Sequence, residues 1–201
     1  GAVSDRLTAN WMSSQLSADA EIRGSLRKLR DRSREMVRNN PYAKQAKRTT
    51  QINVVGTGMK FQSLVTQVRG NKRDQRANKV IEEAWGNWCR PENCDTAGRH
   101  SFHQFEWLAT GALPESGEAI FRIVRKPFGN SGVPLALQLI ESDLLDEEYN
   151  GKVTGKNNEW RNGVEVDEWG RPKRYAILTR HPGDAYYLNP TNAGKDHIFL
   201  P

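Results

Sequence analysis

An α+β fold, helices first and strands after, is what this sequence predicts, and three observations predict it. Apolar residues recur mostly at steps of three and four through the first part of the chain. From Ile120 onward the spacing falls to two. Helical and strand patterns do not alternate, which argues against a βαβ repeat, and no internal repeat or low-complexity segment interrupts them. The expected architecture is a helix-rich N-terminal part packed on a mainly antiparallel, β-rich part.

Residues 1–19 read as a flexible N-terminal arm. The clearest helix spans residues 20–38, where Ile22, Leu26, Leu29, Ser33 and Met36 line one face and arginines surround them. It predicts an apolar seam with a cationic exterior. Asn40-Pro41 then stops that helix and starts another, Asn as the cap and Pro in the first turn, where a missing N–H costs nothing. The second helix runs to about Asn53 with Tyr42, Ala46, Thr49 and Asn53 on one side. Gly56 and Gly58 allow a sharp exit into a strand over Met59–Val68. Asn71–Trp88 returns to helix, with Ala77, Val80, Ile81, Ala84, Trp85 and Trp88 as a wide apolar stripe. Ser101 and Gln104 form a capping-box pair heading a helix with Phe102, Phe105, Leu108 and Ala112 inward, ending by Pro114.

Strands are expected at Ile120–Val124, Leu135–Ile140, Val164–Asp167 and Arg174–Leu178, with Glu168-Trp169-Gly170-Arg171 as a hairpin turn. A loop rich in Pro, Gly and Asn covers His181–Asp196, and a short strand follows at His197–Leu200. Residues 20–201 are thus expected to form one α+β domain: basic helices over 20–56, mixed helix and strand over 57–116, and a β-rich part over 117–201. Its end at Pro201, just after an apolar strand, reads as a truncation.

Composition bounds the function. With 201 residues and 36% hydrophobic content the chain can build a real core. No apolar run is long enough to cross a bilayer and no signal segment opens the chain, so a soluble protein is expected. Cys89 and Cys94 do not make a secreted-type disulfide framework, which points to intracellular synthesis. The net charge of +6 hides an asymmetry, since residues 1–80 carry +11 and residues 81–201 carry −5. A basic half suggests a polyanion, nucleic acid being the commonest, or a solvated helix face, or a surface that meets the acidic part of a neighbouring subunit.

The motifs that could carry chemistry are sparse. Cys89, Cys94, His100 and His103 could supply zinc with two thiolates and two imidazoles, but their spacing departs from the usual paired turns, and no metal or cofactor is expected. Gly56-Thr57-Gly58-Met59-Lys60 lacks the full phosphate-loop pattern and leads from helix to strand, the reverse of what a phosphate cradle needs. Glu141, Asp143, Asp146, Glu147 and Glu148 cluster after a strand and read as a solvated turn or an acidic surface for a basic neighbour. Ser-His-Asp, Cys-His and H-E-x-x-H arrangements are missing, so no enzyme is expected. Trp85 and Trp88 read as core, whereas Trp11, Trp160 and Trp169 lie in polar settings typical of contact surfaces.

Several strings, in order, carry a resemblance. These are Leu29-Arg30-Asp31-Arg32-Ser33-Arg34-Glu35-Met36-Val37-Arg38, then Asn39-Asn40-Pro41-Tyr42-Ala43, then Asn53-Val54-Val55-Gly56-Thr57-Gly58-Met59-Lys60. Trp85-x-x-Trp88 with Cys94-Asp95 and Gly98-Arg99 follows, then Gly117-Glu118-Ala119-Ile120-Phe121-Arg122, then Leu137-Gln138-Leu139-Ile140-Glu141-Ser142-Asp143-Leu144-Leu145-Asp146. Gly163-Val164-Glu165-Val166-Asp167, Gly170-Arg171-Pro172 and His181-Pro182-Gly183-Asp184 complete the series. Together they resemble the N-terminal region of tailed-phage portal proteins of the lambda family.

The resemblance implies a non-enzymatic ring, typically of twelve subunits, at one vertex of the phage head, through which double-stranded DNA enters and leaves. It implies partners too: copies of itself, capsid and scaffold proteins, the large terminase subunit and head-completion proteins, with no membrane. Localisation would be the virion, after synthesis in the host cytoplasm. Family members are much longer, so this segment would be the wing portion with its N-terminal arm, and the stem, clip and crown would lie beyond it. Arg27, Arg30, Arg34 and Arg38, with Lys44, Lys47 and Arg48, are the residues expected to face a neighbouring subunit or DNA. The alternative is a stand-alone nucleic-acid-binding domain using the basic residues 23–48.

Overall fold

Most of the helices begin where a polar side chain can take the first free amides. Ser17 accepts from the Ala20 amide ahead of α1 (Ala18–Arg23), and Asn40 accepts from Tyr42 and Ala43 ahead of α3 (Pro41–Val55). Asp74 accepts from Ala77 at the head of α4 (Gln75–Trp88). The Ser101–Gln104 capping box opens α6 (Phe102–Ser116). Between these lie α2 (Leu26–Asn39) and the single turn α5 (Pro91–Cys94). These elements belong to a computed structural model that describes residues 15–186 and 196–201. Trp11 and most of the expected arm lie outside the described residues, as does most of the 181–196 loop.

Two antiparallel sheets follow, so the α+β expectation holds. Strands β1 (Ile120–Val124) and β2 (Ala136–Ile140) form a hairpin with Ile120 opposite Ile140. Strands β3 (Gly151–Lys152), β4 (Glu159–Arg161), β5 (Val164–Val166), β6 (Pro172–Leu178) and β7 (His197–Leu200) form a meander paired in chain order. The predicted turn at residues 168–171 joins β5 to β6, closed by hydrogen bonds between Asp167 and Arg171. The core has two parts. Trp88, Cys94 and Phe105 gather Trp85, Phe102, Phe121 and the inner face of β2; Ile140, Ile177 and Leu200 join the two sheets through Leu144 and Leu145. Helices α2, α3 and α6 pack on one another beside this core.

The structure corrects several expectations. The helix over 20–38 breaks at Gly24-Ser25 into α1 and α2. Its apolar seam is not the buried face: Leu29 and Met36 are more than half exposed, and Leu26, Arg30, Ser33, Arg34 and Val37 turn inward. Apolar periodicity could not show this, because carboxylates elsewhere in the chain draw the arginines in. In α3 the inward residues are Ala43, Lys47, Gln51 and Val55, and Tyr42 is exposed. Val80, Ile81 and Leu108 also stay exposed on their helices.

Residues 59–68 do not form a strand. Their amides bond to side chains instead, Met59 to Glu106, Ser63 to Glu82 and Val65 to Asn78, with a lone bridge from Thr66 to Arg73. A strand pattern marks a pleated face but supplies no partner strand. Helix α6 continues through Pro114 and ends at Gly117, whose left-handed φ of 85° closes it. Trp160 is buried, not a contact surface: Tyr149 and Phe199 pack on it and the Arg174 guanidinium lies 5.6 Å from its ring centre. The short strands β3 and β4 escape a reading of the sequence, since Gly151-Lys152 and Glu159-Trp160-Arg161 show too few residues for a period.

Candidate interaction site on the basic helices

Helix α2 crosses the end of the β1–β2 hairpin, and this brings its inward arginines against acids far along the chain. Arg30 is 5% exposed. Its guanidinium donates to Glu118 at 2.8 Å and to Asp143 at 3.1 Å, and lies 3.7 Å from Glu147. Arg34, one turn on, pairs with the other oxygen of Asp143 and reaches Ser116. Arg27 approaches Glu147 at 3.8 Å from a half-exposed position, and His181 bonds Asp143 at 3.2 Å. Arginine suits such a site because its planar fork serves several carboxylates at once. The Arg30 Nε and one Glu147 oxygen are buried there without a partner.

The carboxylates respond differently. Burial pushes the Asp143 carboxyl up, but bonds from Arg34, His181 and Arg30 outweigh it and hold Asp143 below the usual range. At Glu118 burial wins over Arg30, and its pKa is raised. Glu141, Asp143 and His181 bring ligand atoms within 4.8 Å of one another. With two guanidiniums already on Asp143, a metal ion there would meet strong repulsion.

The remaining four predicted residues make no ion pair with this cluster. Arg38, Lys44, Lys47 and Arg48 share a cleft of about 550 Å³ between α2, α3 and α6, with Gln51 and Trp107 in its wall. Lys47 pairs with Glu115, and the Gln51 amide donates to the Trp107 carbonyl at 2.9 Å. Among the described residues, Arg38, Lys44 and Arg48 have no carboxylate within ion-pair distance. The predicted site residues thus divide: Arg30 and Arg34 serve within the chain, Arg27 lies at the cluster's edge, and four line the cleft. Reading the sequence missed Glu118, His181 and Trp107, although the opposite charges of the two parts signalled that acids and bases would meet.

The other motifs are structural. Cys94 is fully buried, its thiol set against the Cys89 and His100 carbonyls. Burial, then the neighbouring Cys89 and Asp95, push that thiol up to about 11. His100 bonds Asp95 and His103 bonds Glu106, and no three of these cysteines and histidines converge on one point. Asp95 organises this loop by accepting from the Ala97, Arg99 and His100 amides. At the Gly58 turn, the Met59 amide already holds the Glu106 carboxylate, where a phosphate cradle would need its anion.

The model of a family described as "Phage portal protein, lambda family" matches residues 4–195. The chain belongs to that family. It is 38% identical over 184 residues to the "Probable portal protein" of Halomonas phage phiHAP-1, a match covering 90% of this chain and 35% of that protein. This portal-family chain therefore spans about a third of the length of the curated relative it matches. No helix among its described residues is long and apolar enough to cross a membrane.

Proposed function

We propose that the chain is the wing part of a portal subunit: a structural, non-enzymatic piece of a closed homo-oligomeric ring, a dodecamer, at the single portal vertex of a phage capsid. DNA passes through such a ring during packaging and ejection. Terminase and head-completion proteins dock on regions beyond this segment, and the virion is its place of residence. The family match across residues 4–195 carries this reading.

The structure supports it in one respect. A subunit that joins head to tail needs a rigid body with distinct faces. The Arg30–Asp143 cluster ties α2 to the sheets, so the exposed cations Arg27, Arg38, Lys44 and Arg48 are held in fixed positions. We assign those residues to a neighbouring subunit or DNA. The test is electron microscopy and native mass spectrometry of the chain extended to its relative's length. A closed ring is expected, and charge reversal at Arg27 and Arg38 should impair its assembly. A protein that stays monomeric at high concentration would refute the proposal, and normal rings from the reversed variant would refute the interface role.

A further inference from the structure

We infer that the cleft between α2, α3 and α6 is a binding site for the phosphate backbone of a polynucleotide. Its charged groups are all cationic: the Arg38 guanidinium, the Lys44 and Lys47 ammoniums and the Arg48 guanidinium, set among Val37, Gln51 and the half-buried Trp107. Of its four cations, Lys47 is already paired, with Glu115. Three uncompensated positive charges in one concavity attract an oxyanion, and arginine engages phosphate in a bidentate fork. The Trp107 ring adds an apolar wall on which a sugar or base can rest.

A polynucleotide fits better than a second copy of the chain. The acidic cluster that a neighbour would bring is consumed at home: Asp143 by Arg30, Arg34 and His181, Glu147 by Arg27 and Arg30, and Asp146 by His197. The exposed acids, among them Asp31 and Glu35 on α2 and Glu92, Glu141 and Glu168 elsewhere, sit on several different elements. Three adjacent cations call for closely spaced negative charges, which a nucleic-acid strand presents at every residue.

The inference deepens the portal reading at the same residues, yet its test does not need a ring. Fluorescence anisotropy of a labelled duplex against the full chain, from 50 to 200 mM salt, is the measurement. Binding should weaken steeply with salt, and Lys44→Gln with Arg48→Gln should lower affinity at least tenfold and reduce the salt slope by about 2. Lys79→Gln with Lys152→Gln, on other faces, should change affinity less than threefold. Equal losses in both pairs would show diffuse attraction by net charge and overturn the site. So would undetectable binding at low salt, or poly-glutamate or free tripolyphosphate competing as well per charge as duplex. Should the cleft variants unfold, acylation of Lys44 in the unaltered chain replaces them: bound duplex should protect it, and equal labelling with and without duplex would overturn the site. Rings without duplex binding would sink this inference alone, and duplex binding by a protein that never forms rings would sink the portal reading alone.

Discussion

Replacing Arg30 by methionine tests the central packing claim, that one buried guanidinium holds the helices to the sheets. Methionine retains most of the aliphatic bulk, so the change isolates the charge. Three carboxylates lose a partner, but unequally. Asp143 keeps Arg34 and His181. Glu118 is about one-third exposed, so water compensates part of its loss. Glu147, with 9% of its side chain exposed, keeps only Arg27 at 3.8 Å and suffers most. Breaking a buried pair by removing one partner costs about 3–5 kcal/mol. The surviving partners and exposed Glu118 place this case near the lower end, about 3 kcal/mol, or a fall in Tm of roughly 6–12 °C for a chain of this size. Thermal unfolding followed by circular dichroism, with urea titration for the free energy, reads it directly. Arg34→Met should cost only about 1 kcal/mol, because Asp143 retains Arg30 and His181. The Arg30 loss should shrink on acidification, as Glu118, whose carboxyl is raised by burial, accepts a proton and ceases to be an unpaired charge. A loss below about 1 kcal/mol, or one independent of pH, would mean that the buried guanidinium does not hold the helices to the sheets.

Three further outcomes follow from the same structure. Gly163→Ala should cost about 2–4 kcal/mol in urea titration, because φ is +82° there and an added Cβ would sit 2.7 Å from the Asp146 carbonyl oxygen. Cys94 in the folded chain should resist iodoacetamide at pH 8 and react readily after denaturation, as mass spectrometry would show. Raising a thiol from 9.0 to about 11 lowers its thiolate fraction about a hundredfold, and the sulfur is fully buried besides. Stability should fall on acidification below about pH 4. Asp95, Asp143 and Glu165 are held below their ordinary values, so their contribution is complete above those values and is lost as pH drops through the depressed ones. Glu118, raised, opposes this, since the folded state binds its proton more tightly. Equilibrium urea unfolding between pH 3 and pH 7 checks the sign.

What can be read from the sequence is whatever is written locally. Caps at Asn40 and Ser101, the turn at residues 168–171 and the strands at Ile120–Val124 and His197–Leu200 each depend on a few adjacent residues. The misreadings arise where a distant group decides. Residues 59–68 carry a strand pattern, but Glu82, Asn78 and Glu106 claim their amides. The rotation of α2 about its axis is set by Glu118 and Asp143, roughly a hundred residues downstream, which no helical period reveals. Trp160 reads as solvated because its neighbours are charged, yet Arg174 stacks on it and Glu165 is buried beside Asn158. At the candidate site the basic residues are legible as a group. Their division between an internal clamp and an open cleft is not, because it follows from how α2 packs on distant acids while α3 supplies most of the cleft.

The internal clamp has a bearing on how the chain matures during translation. Arg30 and Asp143 are 113 positions apart, so at about 5–20 residues per second the ribosome delivers the acid roughly 6–23 s after the base. Throughout that delay the nascent helix shows water a row of guanidiniums where an ordinary amphipathic segment would show leucines. A charged docking face keeps the half-made polypeptide from adhering to its neighbours on the polysome.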